Sequence, residues 1–474
     1  MHLRRFSAVL ALAALAACSD GDLTGPAATS GPDAARQPNP SFEQPDGQIP
    51  TRQQQRPGTL IEKSDSELWG YVQASDGLVA VGLKAPGGIR GTWRGKILVD
   101  RNDKAQGKAA VLAQPGVRLV SEDELLPVME VRLESQAALA AIRKLPFVDY
   151  VEPVVVPQSL PQFAGIGGCG WGSTWTGDRQ YTSTGDVYSQ KFTAMGIPSA
   201  WSYSSGAGIK IGLIDSGISS GQGQFVSTFT SGQSYGRTLS LLRISSQPSA
   251  YDDCGHGTKM AGIIAAPWDG QNVAGIAYRS SLVSVRHASG VAAVNSSDAK
   301  ASVRLANQNG AQVIVMAWES LNWLWQVSDE IEYWHYGRQV LFFGAAGTSG
   351  CWDGILDSNV IFPADMPEVV AVTGVTYPNG GVPCGIHHGS DVELTSYLDV
   401  PSTGRYTGDV VGMGGSSNAT AVAGGIAALV WSRNPGFTRD QVRARLHQTA
   451  QYYPSRHSKE GYGLMNAYRA VTGY

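Results

Sequence analysis

The sequence predicts an α/β fold: a parallel sheet sandwiched by helices, preceded by a small α+β domain. One observation predicts the larger part. Past residue 160, short apolar runs alternate with helical stretches, and such alternation implies right-handed crossovers and parallel strands covered on both faces. The strand-like runs are "IKIGLID" (209–215), "SLVSVR" (281–286), "QVIVMA" (312–317), "QVLFFGAAG" (339–347) and "EVVAVTGV" (368–375), and the helical ones include "DAKASVRLANQNG" (298–310) and "WLWQVSDEIEYWHYG" (323–337). A second observation predicts the smaller part. Between 66 and 157 lie strand-like "GKILVD" (95–100), "VMEVRL" (128–133) and "VDYVEPVVV" (148–156), with a helix "SQAALAAIRKL" capped by Ser135. Two helices close the chain, one from Ser417 and one after Thr438, where Thr438 and Gln441 form a capping box.

The ends and the linkers divide the chain further. Residues 1–18, "MHLRRFSAVLALAALAAC", join two arginines to an apolar run too short to span a bilayer, the pattern of an export signal. Its "LAAC" ending resembles a bacterial lipobox, in which the cysteine, here Cys18, carries the lipid. Residues 19–65 are rich in Pro, Gln, Gly, Ser and Asp and poor in large apolar side chains, so they read as a disordered tether. The expected organisation is signal 1–18, tether 19–65, small domain 66–157 and large domain 158–474. A formal net charge of −3 gives no reason to expect nucleic acid or an anionic membrane surface as partner. Besides Cys18 the chain has Cys169, Cys254, Cys351 and Cys384. In an exported chain these suggest two disulfides; three pairings are possible, and Cys169 with Cys254 and Cys351 with Cys384 is the favoured one. No CxxC or HExxH spacing supports a zinc site.

Three short stretches carry chemistry. Asp215 ends an apolar strand directly before a glycine turn, His256 stands between two glycines in "DDCGHGTKMAG", and Ser417 lies in "GGSSNATAVAGG" at the start of a helix of small residues. Beyond the carboxyl ends of parallel strands, side chains project over a crevice. A serine at a helix N-terminus sits where the dipole favours developing negative charge, and it becomes a nucleophile if a base and an orienting carboxylate reach it. Asp, then His, then Ser is the order the subtilisin triad follows. "GSSNA" lacks the second glycine of GxSxG, and its partners precede it, which disfavours an α/β-hydrolase.

Together "IGLIDSGI", "CGHGTKMAG" and "GSSNATAVAGG" resemble the Asp, His and Ser motifs of the subtilisin-like serine proteases. The likeness extends to "PSAWSYSSGAGIKI", "GQNVAGIAYRSSLVSVR", "FPADMPEVVAVTGV" and "GYGLMNAYRAV", covering most of 190–474. The resemblance implies a secreted endopeptidase with Asp215, His256 and Ser417 as triad, acting on peptides or proteins as a monomer. Its rival is a degenerate homologue that binds peptides without cutting them. "LPFVDYVEPVVV" resembles the close of the family's propeptide, an intramolecular inhibitor, so a self-processed zymogen is implied. With no cysteine between Ser19 and Gly168, cleavage between roughly 155 and 170 would free the large domain from a lipid anchor on Cys18.

Several positions depart from the family's pattern. Thr348 replaces the usual oxyanion Asn, Lys259 replaces a second His, and Ala421-Val422 replace Pro-His. "VMAWES" places Ala317, Trp318 and Glu319 along the substrate-binding edge, where Glu319 for Gly suggests a basic side chain before the cut and Trp318 is equally readable as core. No catalytic cofactor is implied. Relatives often bind structural calcium, yet ligands cannot be placed here: Asp252 and Asp253 read equally as a solvated loop, and His387 and His388 as exposed loop residues. The sequon at Asn418 reads as accidental.

Overall fold

In a computed structural model the described residues are 60–84, 101–155, 169–170, 172–292, 295–349, 351 and 356–474. The expectations for Cys18, for most of the tether and for "GKILVD" fall outside them. A small lobe comprises α1 (Asp65–Ala74), β1 (Leu78–Leu83), α2 (Arg101–Leu112), β2 (Val117–Glu122), β3 (Val128–Leu133), α3 (Gln136–Arg143) and β4 (Val148–Pro153). Its sheet runs in the order β2-β3-β1-β4, with antiparallel pairing throughout. Ser135 caps α3 as the sequence indicates, and Ser64 with Glu67 closes a capping box on α1. Leu60 is already buried in the core, so ordered packing begins before residue 66.

The large lobe opens with the β5 (Gln180–Tyr181) and β6 (Val187–Tyr188) hairpin and the short helices α4 (Gln190–Ala194) and α5 (Ile197–Trp201). Next come β7 (Lys210–Asp215), α6 (Gly223–Val226), β8 (Leu239–Arg243), α7 (His256–Ala265), β9 (Ser281–Arg286), α8 (Ser296–Gln308) and β10 (Val313–Met316). They are followed by α9 (Trp325–Arg338), β11 (Leu341–Ala345), β12 (Val369–Val375), β13 (Leu394–Tyr397), the ribbon β14 (Val400–Thr403) and β15 (Val410–Met413), and helices α10 (Gly415–Arg433), α11 (Arg439–Gln448) and α12 (Ala467–Thr472). Seven parallel strands form the main sheet in the order β13-β12-β11-β10-β7-β9-β8. Chain order reverses direction at β7, flanked by β10 and β9. Such a switch point opens a crevice at the carboxyl ends of the strands, and Asp215 is the last residue of β7.

Helix α10 starts at Gly415, two residues before the expected Ser417. It is buried on nearly every side, and a Cβ on Gly424 would come within 2.3 Å of Val315 and one on Gly425 within 2.9 Å of Ile276. Much of the small-residue run therefore seats the helix against the sheet rather than receiving a ligand. Among the described residues, no helix is long and apolar enough to cross a membrane.

The two lobes pack through α8 and α9. Helix α9 has no side-chain cap of its own, and Glu152 of the small lobe accepts the N–H groups of Trp325 and Gln326 at 2.7 and 3.0 Å. Tyr150 stacks on Trp325 at 5.9 Å and its hydroxyl donates to Asp329. Asp123 pairs with Lys300 at 3.0 Å and Arg304 at 2.9 Å, while Arg304 also holds Glu330. Past β4, Val154 accepts the Ser296 N–H and Val155 bridges to Asn295.

This interface is expected to loosen as pH rises. Burial outweighs the two N–H groups and pushes Glu152 up from 4.5 to about 8, so docking favours its protonated form and weakens between about pH 4.5 and 8. Asp123, held down at about 2 by Lys300, the Leu126 N–H and Arg304 against its own burial, stays charged across that window. In an intact chain carrying Ser417→Ala, hydrogen exchange at β4 should speed up at least about tenfold more than intrinsic exchange from pH 5.5 to 8.5. Glu152→Gln should flatten that difference; a wild-type interface indifferent to pH would refute the assignment.

Candidate active site

Asp215 and His256 meet as the sequence suggests. His256 opens α7 behind Gly255, which takes a left-handed φ of 89°, and its Nδ1 lies 2.9 Å from both carboxylate oxygens of Asp215. Both side chains are buried, at 2% and 0% exposure. Nδ1–H donating to the carboxylate leaves the Nε2 lone pair as the basic end. Gly257 has to be glycine, because a Cβ there would meet the Gly217 carbonyl at 2.3 Å and Asp215 Oδ1 at 3.1 Å.

Asp252, read from sequence as a solvated-loop candidate, is buried and organises this corner. One oxygen accepts the N–H groups of Cys254 and Gly255 at 2.8 and 2.7 Å and the Ser216 hydroxyl at 2.9 Å. The other accepts the Thr258 N–H and hydroxyl at 2.9 and 2.6 Å. Ser216 in turn accepts the Gly257 N–H, so one carboxylate fixes both the loop before His256 and the residue after Asp215. An Asp followed at two and three residues by Cys254 and Gly255 is an Asx-turn pattern, a signal present in "DDCGHG". Asp253 is exposed and pairs with the buried Arg286 at 2.8 Å.

Ser417 lies in the first turn of α10, which packs against α7. Its hydroxyl donates to the Ala317 carbonyl at 3.2 Å; among the described residues it makes no hydrogen bond to His256. The Thr348 hydroxyl accepts the Ser416 N–H at 3.0 Å and lies 3.0 Å from the Ser416 hydroxyl, which also accepts the Gly347 N–H at 3.2 Å. With Ser416 donating to Thr348, the Thr348 proton is left over for another acceptor. Thr348 thus caps α10 in place of its N-cap Gly414, which has no side chain to do so.

The neighbouring edge residues divide. Trp318 is core, 1% exposed and set against His287 and Phe362 with centroids 5.5 and 6.4 Å apart. Glu319 is buried too, its main-chain N–H donating to Val291 and its carboxylate accepting the Thr348 N–H at 3.2 Å. His287, which sequence reasoning passed over, donates its N–H to the Asp215 carbonyl, and burial pushes its ring down to about 4. His387, expected to be exposed, is instead buried, with Nδ1 2.9 Å from the Asn359 carbonyl. Asn418 is also buried and hydrogen-bonded to Tyr397, which agrees with an unused sequon.

Both disulfides pair as favoured, Cys169–Cys254 and Cys351–Cys384. The first ties residue 169 to the loop before His256, reinforced by Lys259 donating to the Gly170 carbonyl at 2.7 Å. Among the described residues, no group of three or more His, Cys, Asp or Glu is placed to hold a metal ion.

A model of the subtilase family matches residues 206–464, more than half of the chain and all three motifs. The chain belongs to the subtilase family. Among related subtilases, a thermostable alkaline protease of Halalkalibacterium halodurans is 30% identical over 364 residues, covering 75% of this chain and 86% of that one. Halolysin of Haloferax mediterranei is 26% identical, covering 84% and 73%. Fervidolysin of Fervidobacterium pennivorans, a keratinolytic enzyme related to subtilisin, shares the fold at a TM-score of 0.59 and 18% identity, covering 84% of this chain and 61% of its own. The fold is therefore subtilisin-like, as the motifs imply.

Proposed function

We propose that this subtilase is an exported serine endopeptidase, made as a zymogen whose small lobe is an inhibitory propeptide. The observation that carries the reading is the buried His256–Asp215 pair, with His256 on α7, the helix that packs against α10, in whose first turn Ser417 stands. His256 Nε2 takes the Ser417 proton as the hydroxyl attacks the peptide carbonyl, and returns it to the leaving amine; water then resolves the acyl-enzyme by the same path. Asp215 holds the tautomer and stabilises the imidazolium. For this, Ser417 turns from the Ala317 carbonyl toward the imidazole, a shift of the kind hydrogen bonds in a free enzyme make on binding substrate.

The small lobe docked on α8 and α9, with Val155 past β4 bridged to Asn295 at the start of α8, supports the propeptide role. A lipid on Cys18 with a cut in the 155–170 window, placed before Cys169 so that its disulfide to Cys254 stays within the large lobe, gives a tethered precursor and a released enzyme. Incubation with an unfolded protein should yield fragments with new internal ends. A processed protein that binds such a substrate and leaves it whole would favour the non-cleaving homologue.

The oxyanion in this scheme rests on the Ser417 N–H, the α10 dipole and the Thr348 proton. Thr348 already serves Ser416, so Thr348→Asn, with a longer amide, is expected to raise kcat by about 10- to 100-fold, less than the 10² to 10³ of a complete donor. Steady-state kinetics on one peptide checks this; an unchanged or lower kcat rejects it.

A further inference from the structure

Several buried carboxylates in this fold have strong compensation: Glu330 has Arg304, Glu393 has Arg443 and His447, and Asp252 has five donors. Glu319 has much less. It is buried, and its carboxylate receives a single main-chain N–H, from Thr348. Among the described residues no cation is paired with it. A carboxylate so placed is costly to ionise unless a positive group arrives.

Its position says where that group comes from. Strands β10 and β11 are neighbours, but their continuations part: Ser320 bridges to Phe362 and Thr348 to Ile386. The Glu319 side chain reaches across this divergence to Thr348. Two residues back, Ala317 accepts the Ser417 hydroxyl, and Thr348 joins Ser416 on the other side. The carboxylate therefore lies close to the nucleophile by two routes: two residues along the chain from Ala317, and through Thr348 to Ser416, the neighbour of Ser417.

Resting on the protease reading above, we propose that Glu319 selects substrates with Lys or Arg immediately before the scissile bond, and does so only in its ionised form. Burial raises Glu319 to about 7, opposed only by the Thr348 N–H. The titratable groups on the surrounding segments are His287 beside Trp318, and His387 behind Gly347 with Asp357 and His388 near it. None of them contributes to the Glu319 shift. Glu319 is therefore neutral below pH 7 and anionic above. The anion attracts a basic side chain and, lying beside the oxyanion site, opposes turnover of a neutral one.

The test uses two peptides differing only in lysine or norleucine before the cut, and the processed wild-type enzyme. The ratio of their kcat/KM values cancels the ionisation of His256, which both share. From pH 6 to 9 the lysine/norleucine ratio should rise about 10- to 100-fold, the scale of one charge-assisted hydrogen bond. In Glu319→Gln the ratio should lose its rise with pH. If that variant does not mature, the wild-type ratio alone decides. Cleavage of the norleucine peptide with no lysine preference at pH 9, or the same rise in Glu319→Gln, would overturn this inference and leave the protease reading standing. Cleavage of neither peptide, with Ser417 unreactive toward a fluorophosphonate, would overturn both.

Discussion

Ser417→Ala and His256→Ala are each expected to lower kcat on the order of 10⁶-fold, and Asp215→Asn about 10⁴-fold, the scales known for such triads, subtilisin among them. The losses are large because the groups act as a unit, and those of Ser417 and His256 match because either removal disables the same step. Without Ser417 there is no nucleophile. Without His256 the hydroxyl keeps its proton at neutral pH. With Asn at 215, the amide can donate to Nδ1 and present the wrong tautomer, so Nε2 is no longer a base. A combined Ser417→Ala, His256→Ala variant should be no slower than either single one. If the small lobe is removed by self-cleavage, all of these variants should also accumulate as full-length chain, which gel mobility reads directly. Normal processing in Ser417→Ala would show that another protease makes the cut.

Asp252→Ala should be the most damaging change outside the triad. It removes the acceptor of three N–H groups and two hydroxyls in a buried corner, and donors left unsatisfied there are costly. Allowing for water entry at the new cavity, the expected loss is about 3 to 5 kcal/mol of stability, the range for breaking a buried charged network. Activity should fall further than stability explains, because Ser216 and the loop bearing His256 lose their common anchor. Asp252→Asn keeps acceptor capacity on one oxygen and should fall between the two. Thermal unfolding and kcat on the same preparations separate the effects; a fully stable Asp252→Ala enzyme would remove the residue from this role.

What was legible in the sequence follows from how local each signal is. The Asp215, His256 and Ser417 stretches could be read because strand-end and helix-start chemistry is written in adjacent residues. The parallel sheet was legible because buried strands are apolar runs of fixed length. Asp252 was harder, since a buried and a solvated Asp look alike in sequence; only the N–H groups gathered around it distinguish them. Trp318 was left open and His387 expected to be exposed for the same reason, burial being decided by distant residues such as Phe362 and Asn359. Helix α10 began earlier than its serine suggested because its cap is Thr348, 68 residues away from Ser416. Glu152 could not be recognised as the cap of α9 from sequence, since the two lie on different lobes.

In this enzyme His256 is expected to activate Ser417 although the resting hydroxyl points to Ala317. The most direct measurement is the rate at which a fluorophosphonate labels the processed protein, with the modified residue found by mass spectrometry. One adduct is expected, on Ser417, forming at least about 10³-fold more slowly in His256→Ala. An adduct elsewhere, or an equal rate in His256→Ala, would contradict it.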